Sequence, residues 1–157
     1  MSSGAKEFEI VDVPSPGEGH IIAEEAAKLI LQSIPEIAEP TREQVLDTVA
    51  TEMDNAHFVA ALDAEGAVVG TGGLYMKDID GADKAFIINM AVAPSARQRG
   101  LGSRLMTVLE EEAARRDATE ILGQHHEGSL IFYTGLGYAP ATRPFIEGDV
   151  LAKFIEK

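Results

Sequence analysis

The stretch Phe86–Arg104 constrains the fold more than any other part of the chain, because a strand pattern changes there into a helical one. Phe86–Val92 is apolar except for Asn89, and its length suits one buried strand. Beyond the next loop, apolar residues recur at the spacing of one helix face. They are Leu101, Leu105, Leu109 and Ala113, with Val108 beside them. The sequence therefore predicts a strand, a loop and a helix in direct succession.

The loop between this strand and helix is basic and contains glycine. Ala93–Leu109 holds three arginines and no acidic residue. Glycine lets a backbone approach a ligand closely, and a helix start presents N–H donors with a partial positive charge. Because a phosphate favours both features, we expect the loop to bind a pyrophosphate.

The spacing of the loop residues distinguishes between the known kinds of phosphate-binding loop. A nucleoside-triphosphate loop requires a lysine that is absent here, and a dinucleotide loop requires a third glycine where this chain has Leu105. The remaining pattern is Arg97-x-x-Gly100-x-Gly102 after a strand that ends near Val92. It resembles the coenzyme A loop of the GCN5-related N-acetyltransferases (GNAT), Gln/Arg-x-x-Gly-x-Gly/Ala. The alternative is an ordinary strand-to-helix turn with surface arginines.

A second motif of the same family follows in the correct order. In the family a helix commonly ends Phe-Tyr-x-x-Leu-Gly-Phe/Tyr. The matching residues are Phe132, Tyr133, Leu136, Gly137 and Tyr138. The resemblance covers Phe58 to Tyr138.

The resemblance implies an α/β (α+β) protein with the GNAT-like acetyltransferase fold. In this fold a central mixed, mostly antiparallel sheet is flanked by helices. We expect residues 1–157 to form a single N-acetyltransferase domain.

The remaining elements follow from local patterns. The predicted strands are 8–13, 58–62, 67–76, 119–122, 138–143 and 150–155, and the predicted further helices are 20–34 and 130–134. Gly70, Gly72 and Gly73 suggest a bend or bulge in the third strand, and 78–83 reads as a polar connector.

A capping box predicts one more helix, with Thr41 as N-cap and Gln44 reaching back to it. An apolar stripe is expected along that helix. Its members are Val45, Leu46, Val49, Ala50 and Met53.

Composition excludes several classes of protein. The chain has no cysteine, which excludes disulfides and thiolate chemistry. Its 13 Lys+Arg against 26 Asp+Glu give a formal charge of −13, which disfavours nucleic-acid binding. No signal peptide or membrane-length apolar run is evident, so we expect a cytoplasmic protein with no membrane partner.

The resemblance also implies which residues bind the acyl donor, acetyl-coenzyme A. The end of the central strand offers backbone groups to the pantetheine arm and the thioester, and the loop amides surround the pyrophosphate. The expected cofactor-binding residues are Met90, Ala91, Val92, Arg97, Gln98, Arg99, Gly100, Leu101, Gly102, Ser103 and Arg104. Tyr133 is the candidate general acid for the departing thiolate, and a packed core tyrosine is the alternative.

The residue at the position of the family's general base differs from the family pattern. Members that use a strand glutamate carry it where this chain has Phe86. Replacement candidates are His125, His126 and Glu127, or a water chain; a loop without a catalytic role is equally compatible. Adjacent side chains on one loop rarely ligate one ion, so we expect no metal.

The resulting hypothesis is an acetyl-CoA-dependent N-acetyltransferase that acts by direct amine attack in a ternary complex. The alternative is a non-catalytic acyl-CoA-binding module or regulator. A dinucleotide-binding oxidoreductase is disfavoured by Leu105. The acidic charge favours a cationic small molecule as the acceptor, although it also fits a role in solubility alone. A homodimer is compatible with the family.

Overall fold

Seven strands of the described chain form one mixed sheet, and four α-helices accompany them. The computed structural model describes residues 8–13, 20–33, 37, 39–53, 56–79, 81–97, 100–124, 130–142 and 149–155. In chain order the elements are β1 (Glu9–Asp12), α1 (His20–Gln32), α2 (Arg42–Thr48), a π-helical turn (Val49–Met53), β2 (His57–Leu62), β3 (Val68–Ile79), β4 (Ala82–Val92), a 3-10 turn (Pro94–Ala96), α3 (Leu101–Arg115), β5 (Glu120–Gln124), α4 (Leu130–Gly135), β6 (Ala139–Thr142) and β7 (Asp149–Phe154).

The strand order in the sheet is β1-β2-β3-β4-β5-β7-β6. β4 pairs with β5 in parallel, whereas β1–β2, β5–β7 and β6–β7 pair antiparallel. A parallel pair needs a crossover connection, and α3 supplies it between β4 and β5. The predicted mixed, mostly antiparallel sheet flanked by helices is confirmed.

The chain divides into two compact units. Unit 1 comprises Met1–Gly73 with Asn89–Thr107, and unit 2 comprises Leu74–Ile88 with Val108–Lys157. That residues 1–157 form one domain stays a prediction. No helix among the described residues is long and apolar enough to cross a membrane, and the cytoplasmic localisation also stays a prediction.

The glycines of β3 have a different role in unit 1 from the expected bend. β3 runs without interruption, and a Cβ at Gly70 would lie 3.1 Å from methyl groups of both Leu101 and Leu105. At Gly73 a Cβ would lie 2.6 Å from the Phe58 ring. These two glycines therefore make room for large side chains that pack directly on the strand backbone.

The capping box of α2 is confirmed. The Gln44 N–H donates to Thr41 Oγ1 at 3.1 Å, and the Thr41 N–H donates to Gln44 Oε1 at 2.9 Å. Two of the N–H groups at the start of the helix are thereby satisfied.

The apolar stripe along this helix was predicted only in part. Val45, Thr48 and Val49 are buried, whereas Leu46 is 44% exposed and Ala50 is also exposed. At about 100° per residue, Val45, Thr48 and Val49 lie within one arc of the helix, and Leu46 falls outside it. The buried face of this helix therefore includes the polar Thr48 and leaves out Leu46.

β3 and β4 both extend into residues 78–83, so the prediction of a polar connector over this range was wrong. Asp78 and Ile79 still belong to β3, and β4 begins at Ala82. Gly81 has a φ of 84°, and its N–H donates to Asp78 Oδ1 at 3.0 Å. The two strands are longer than their apolar cores because hairpin pairing continues into polar residues.

A buried ion pair lies across β4 and β5 in unit 2. Lys84 and Glu120 are direct partners in the parallel register, and Lys84 Nζ lies 2.7 Å from Glu120 Oε2. Glu120 is only 2% exposed. Removing one partner of such a pair leaves an uncompensated charge in a poorly solvated place.

We expect Lys84→Met to lower the free energy of unfolding by about 3 kcal/mol, because Glu120 then stays buried without its cation. The exposed Lys77 on β3 is a matched control, and Lys77→Met should change stability by less than about 0.5 kcal/mol. Urea denaturation followed by circular dichroism measures both variants. The double variant Lys84→Met/Glu120→Leu should regain most of the loss; equal effects of Lys84→Met and Lys77→Met would contradict this role.

Candidate active site

The end of β4 in unit 1 has an unusual backbone. Asn89 adopts a φ of 53°, and Asp117 is the only other non-glycine residue of the described chain with a positive φ. Asparagine enters this left-handed region more readily than most residues. Within a strand, such a residue breaks the regular pleat in the manner of a β-bulge.

Asn89 also carries a polar atom without a partner. Its Nδ2 is shielded from solvent and makes no hydrogen bond within the described chain. An unsatisfied buried donor costs about 1–3 kcal/mol, so few such groups persist in native structures. One signal for this residue is visible in the sequence, a polar side chain inside an apolar strand, but it did not identify Asn89 as a site residue.

The predicted binding residues Met90, Ala91 and Val92 form the end of β4 and lead into the 3-10 turn. Arg97 closes that turn: its Nε donates to the Val92 carbonyl at 3.1 Å, and its N–H lies 3.4 Å from the Pro94 carbonyl. The Arg97 side chain therefore binds back to the strand end. Gln98 and Arg99 lie outside the described residues.

The N-terminus of α3 has the features expected of an anion site. Gly100 has a φ of 74°, and a Cβ built there would meet no atom within 4 Å. The Arg104 N–H donates to the Gly100 carbonyl at 3.1 Å, which makes it the first intrahelical bond. The preceding N–H groups, from Leu101 to Ser103, therefore have no acceptor within the helix. No acidic side chain lies in this first turn to compete for them.

Two predicted binding residues have side chains engaged in unit 1. Leu101 is fully buried against β3, so only its backbone is available to a ligand. Arg104 Nη2 donates to the Phe8 carbonyl at 3.3 Å and thereby ties α3 to the residue before β1. Part of the Arg104 guanidinium is therefore already hydrogen-bonded within the protein.

In unit 2 the register of the parallel strands ends before β5 does. Both strands are fully described, and their register runs from Lys84–Glu120 to Phe86–Leu122. Gly123 and Gln124 continue to pair with β7 but have no partner on β4 in this register.

Tyr133 lies against that end of β5. A Cβ at Gly123 would lie 3.1 Å from the Tyr133 ring and 3.4 Å from its hydroxyl oxygen, so glycine is needed for this approach. Tyr133 is 7% exposed, and burial raises the pKa of its hydroxyl above the ordinary value. A tyrosine hydroxyl with its ordinary pKa of about 10 is already protonated at neutral pH, so this hydroxyl can act as a donor there.

A polar network that the sequence did not predict packs beside Tyr133. The Tyr138 ring meets Tyr133 edge-on at 5.3 Å, and the Tyr138 hydroxyl donates to Glu110 Oε2 at 2.8 Å. Lys153 Nζ donates to the Leu136 carbonyl at 3.0 Å and lies 3.5 Å from Glu110. The network fixes the chain that follows α4, and hence the helix that carries Tyr133.

Phe86 occupies an apolar position of β4. Its side chain packs on a cluster of Leu122, Val150 and Ala152, and its ring lies 6.3 Å from that of Tyr75. The proposed replacement bases, His125, His126 and Glu127, lie outside the described residues, and their roles stay predictions. Among the residues that the structure describes, no group of three or more potential metal ligands occurs.

The sequence matches the model of the Acetyltransferase (GNAT) family over residues 24–138. The chain belongs to this acetyltransferase family. The match includes the β4–α3 loop and extends to Tyr138, so both motifs of the predicted family lie within it. No curated protein matches the sequence at a significant level.

Solved structures of other acetyltransferases are similar in fold. A GNAT-family acetyltransferase from Staphylococcus aureus Mu50 has a TM-score of 0.73 at 16% identity, covering 95% of this chain and 99% of its own. Tetrahymena GCN5 has a TM-score of 0.72 at 13% identity, with 94% and 96% covered. Glucosamine-6-phosphate N-acetyltransferase from Arabidopsis thaliana has a TM-score of 0.67 at 13% identity, with 90% and 97% covered. The acetyltransferase fold predicted from the sequence is therefore confirmed.

The Tyr138 network predicts a pH dependence of stability. Burial, and then the Glu110 carboxylate, raise the pKa of Tyr138 well above its ordinary value. The unfolded chain ionises this tyrosine first, near pH ~10, so its contribution is intact below that pH and declines above it until the folded pKa is reached. Between about pH 9.5 and about pH 11 the wild type should lose about 1 kcal/mol more stability than Tyr138→Phe.

Urea denaturation across this pH range measures the difference. Tyr138→Phe should start lower at about pH 8 by about 1–2 kcal/mol, because Glu110 loses its donor. The exposed Tyr75 provides the control, and Tyr75→Phe should follow the wild type. Parallel pH curves for the wild type and Tyr138→Phe would show that Tyr138 does not couple to folding in this way.

Proposed function

We propose that this protein is an acetyl-CoA-dependent N-acetyltransferase that transfers an acetyl group to a primary amine by direct attack in a ternary complex. The observation that carries the proposal is the start of α3, where Gly100 and three amides without helical acceptors follow the strained end of β4. Membership of the acetyltransferase family supports acyl transfer as the class of reaction.

The chain's own groups fit the acyl donor. The open space at Gly100 and the positive end of α3 suit a pyrophosphate, which accepts hydrogen bonds from backbone N–H groups. The backbone of Met90, Ala91 and Val92 would hold the pantetheine arm as an added strand, and the unpartnered Nδ2 of Asn89 marks a place for a further acceptor atom. Arg97, Gln98, Arg99, Leu101, Gly102, Ser103 and Arg104 complete the proposed donor site.

Acyl transfer requires two proton movements. The attacking amine must lose a proton, because an alkylammonium with a pKa near ~10.4 carries no free lone pair at neutral pH. The proposed acceptor of that proton is His125, His126, Glu127 or a water chain. The leaving sulfur, with a thiol pKa of about 8.5, is released more readily when it receives a proton. Tyr133 is proposed as that donor, because its hydroxyl is protonated at neutral pH and lies against Gly123 in β5.

The proposed acceptor is a cationic small molecule. The formal charge of −13 gives the protein an acidic field that attracts cations and raises their local concentration. A homodimer, compatible with the family, is part of the same proposal.

Phe86 favours a second candidate function. Its packing in an apolar cluster leaves no carboxylate where some relatives carry their base. A non-catalytic acyl-CoA-binding module would need the donor site but no base. Binding of acetyl-CoA without transfer to any member of an amine panel would support this second function.

Substitution of Gly100 tests the donor site against a matched glycine. Gly66 has a φ of 83° and, like Gly100, no atom within 4 Å of an added Cβ, but it lies in the β2–β3 turn. Both Gly100→Ala and Gly66→Ala should lose about 1–2 kcal/mol of stability, because alanine is strained at positive φ.

Only Gly100→Ala should weaken coenzyme A binding, by roughly tenfold or more, since its Cβ enters the space proposed for the pyrophosphate. Isothermal titration calorimetry measures the affinity, and thermal unfolding checks the shared loss of stability. Equal affinity in the two variants would place the pyrophosphate elsewhere.

Tyr133→Phe tests the proposed general acid. We expect turnover to fall by about 100-fold, because proton donation to the leaving thiolate is lost, while the affinity for acetyl-CoA changes by less than about twofold. Thiol release with an amine panel measures turnover, and Tyr75→Phe is the matched control. If Tyr133→Phe keeps wild-type turnover, Tyr133 has no part in the chemistry.

A further inference from the structure

Asn89 combines two unfavourable features, and the donor site proposed above leaves open which ligand atom its Nδ2 contacts. It is the one residue of the described chain with a buried side-chain polar atom that lacks a hydrogen-bond partner. Its backbone also has a φ of 53° within a strand. Strained backbone conformations cluster at active sites and ligand clamps, and an unsatisfied buried donor in a native structure calls for an explanation.

The position of Asn89 along β4 indicates which part of a ligand it faces. It lies three residues before Val92, roughly 10 Å further from the loop at a rise of about 3.3 Å per residue. In the proposed function the pyrophosphate lies at the loop, and the pantetheine arm follows Met90, Ala91 and Val92. Asn89 then comes at the far end of the arm, where the acyl group is attached.

The chemistry of the Asn89 side chain indicates which ligand oxygen accepts its hydrogen bond. Nδ2 is an uncharged donor, which suits a carbonyl oxygen. A phosphate is better bound by cations and helix N-termini. At the acyl end, the oxygen that distinguishes the substrate from free coenzyme A is the thioester carbonyl.

We propose, on the basis of the function proposed above, that Asn89 Nδ2 donates a hydrogen bond to the thioester carbonyl oxygen of the acyl donor. Asn89 is then a specificity-determining residue, because free coenzyme A has no oxygen at this place. The product therefore leaves Nδ2 unsatisfied and is bound less tightly than the substrate. The same hydrogen bond strengthens as negative charge develops on the oxygen during amine attack.

Two coenzyme A derivatives with acyl or alkyl groups of equal length test the hydrogen bond from Asn89. Acetyl-CoA and S-ethyl-CoA have the same number of carbon atoms beyond sulfur, but only acetyl-CoA has the carbonyl oxygen. Calorimetry with the intact chain should give roughly tenfold tighter binding of acetyl-CoA than of S-ethyl-CoA, as one satisfied buried donor contributes. Free coenzyme A serves as the third ligand.

Two variants remove the donor in different ways. Asn89→Gly retains access to positive φ at no steric cost, and Asn89→Asp retains the side-chain shape but replaces the amide donor with a carboxylate. Both should reduce the preference for acetyl-CoA over S-ethyl-CoA to less than about twofold, and both should bind free coenzyme A as the wild type does. Thermal unfolding identifies any variant that fails to fold, and the other variant then carries the test.

The outcomes separate this inference from the function on which it rests. An unchanged preference in either folded variant overturns the role of Asn89, as does an equal loss of affinity for all three ligands, which would assign Nδ2 to the pantetheine arm. A wild type that binds coenzyme A but shows no preference for acetyl-CoA over S-ethyl-CoA overturns the role of Asn89 alone. A wild type that binds no coenzyme A at millimolar concentration overturns both.

Discussion

The parallel pairing of β4 with β5 is the constraint on which the rest of the molecule depends. Parallel neighbours need a crossover, and α3 provides it directly after the β4 loop. A helix in that place presents its positive end and its unsatisfied amides immediately after the strand. The buried Lys84–Glu120 pair lies at the other end of the same pairing. The register of this pairing runs to Phe86–Leu122.

The proposed function uses one polar side chain that the fold leaves without a partner, Asn89, and one that the fold buries, Tyr133. Asn89 holds a buried donor without a partner and a positive φ, which together make the strand end less stable than a regular one. Burial raises the pKa of the Tyr133 hydroxyl, and glycine at position 123 leaves room for the Tyr133 ring and hydroxyl against β5. The polar network of Glu110, Tyr138 and Lys153 fixes the chain after α4.

Local sequence patterns predicted the elements that local physics determines. The strand–loop–helix unit around Gly100 was predicted because its apolar periodicity changes at the loop, and the Thr41 capping box because both partners lie three residues apart. The positive φ of Asn89 and the contact of Gly123 with Tyr133 could not be predicted, because both depend on packing between elements. The same holds for Lys84–Glu120, which requires the strand register, and for Leu46, whose exposure depends on which helix face packs. The family motifs supplied the roles of Tyr133 and the loop, but Phe86 shows where a motif supplies no base.

Hydrogen exchange measured by mass spectrometry, with and without coenzyme A, tests the central claim most directly. The proposed donor site predicts slower exchange in peptides that cover Asn89–Arg104 when coenzyme A is present, because the ligand accepts hydrogen bonds from these amides. Peptides from β1 and β2 should exchange at unchanged rates. Unchanged exchange over Asn89–Arg104 at saturating coenzyme A, or protection confined to another part of the chain, would contradict the proposal that this loop binds the acyl donor.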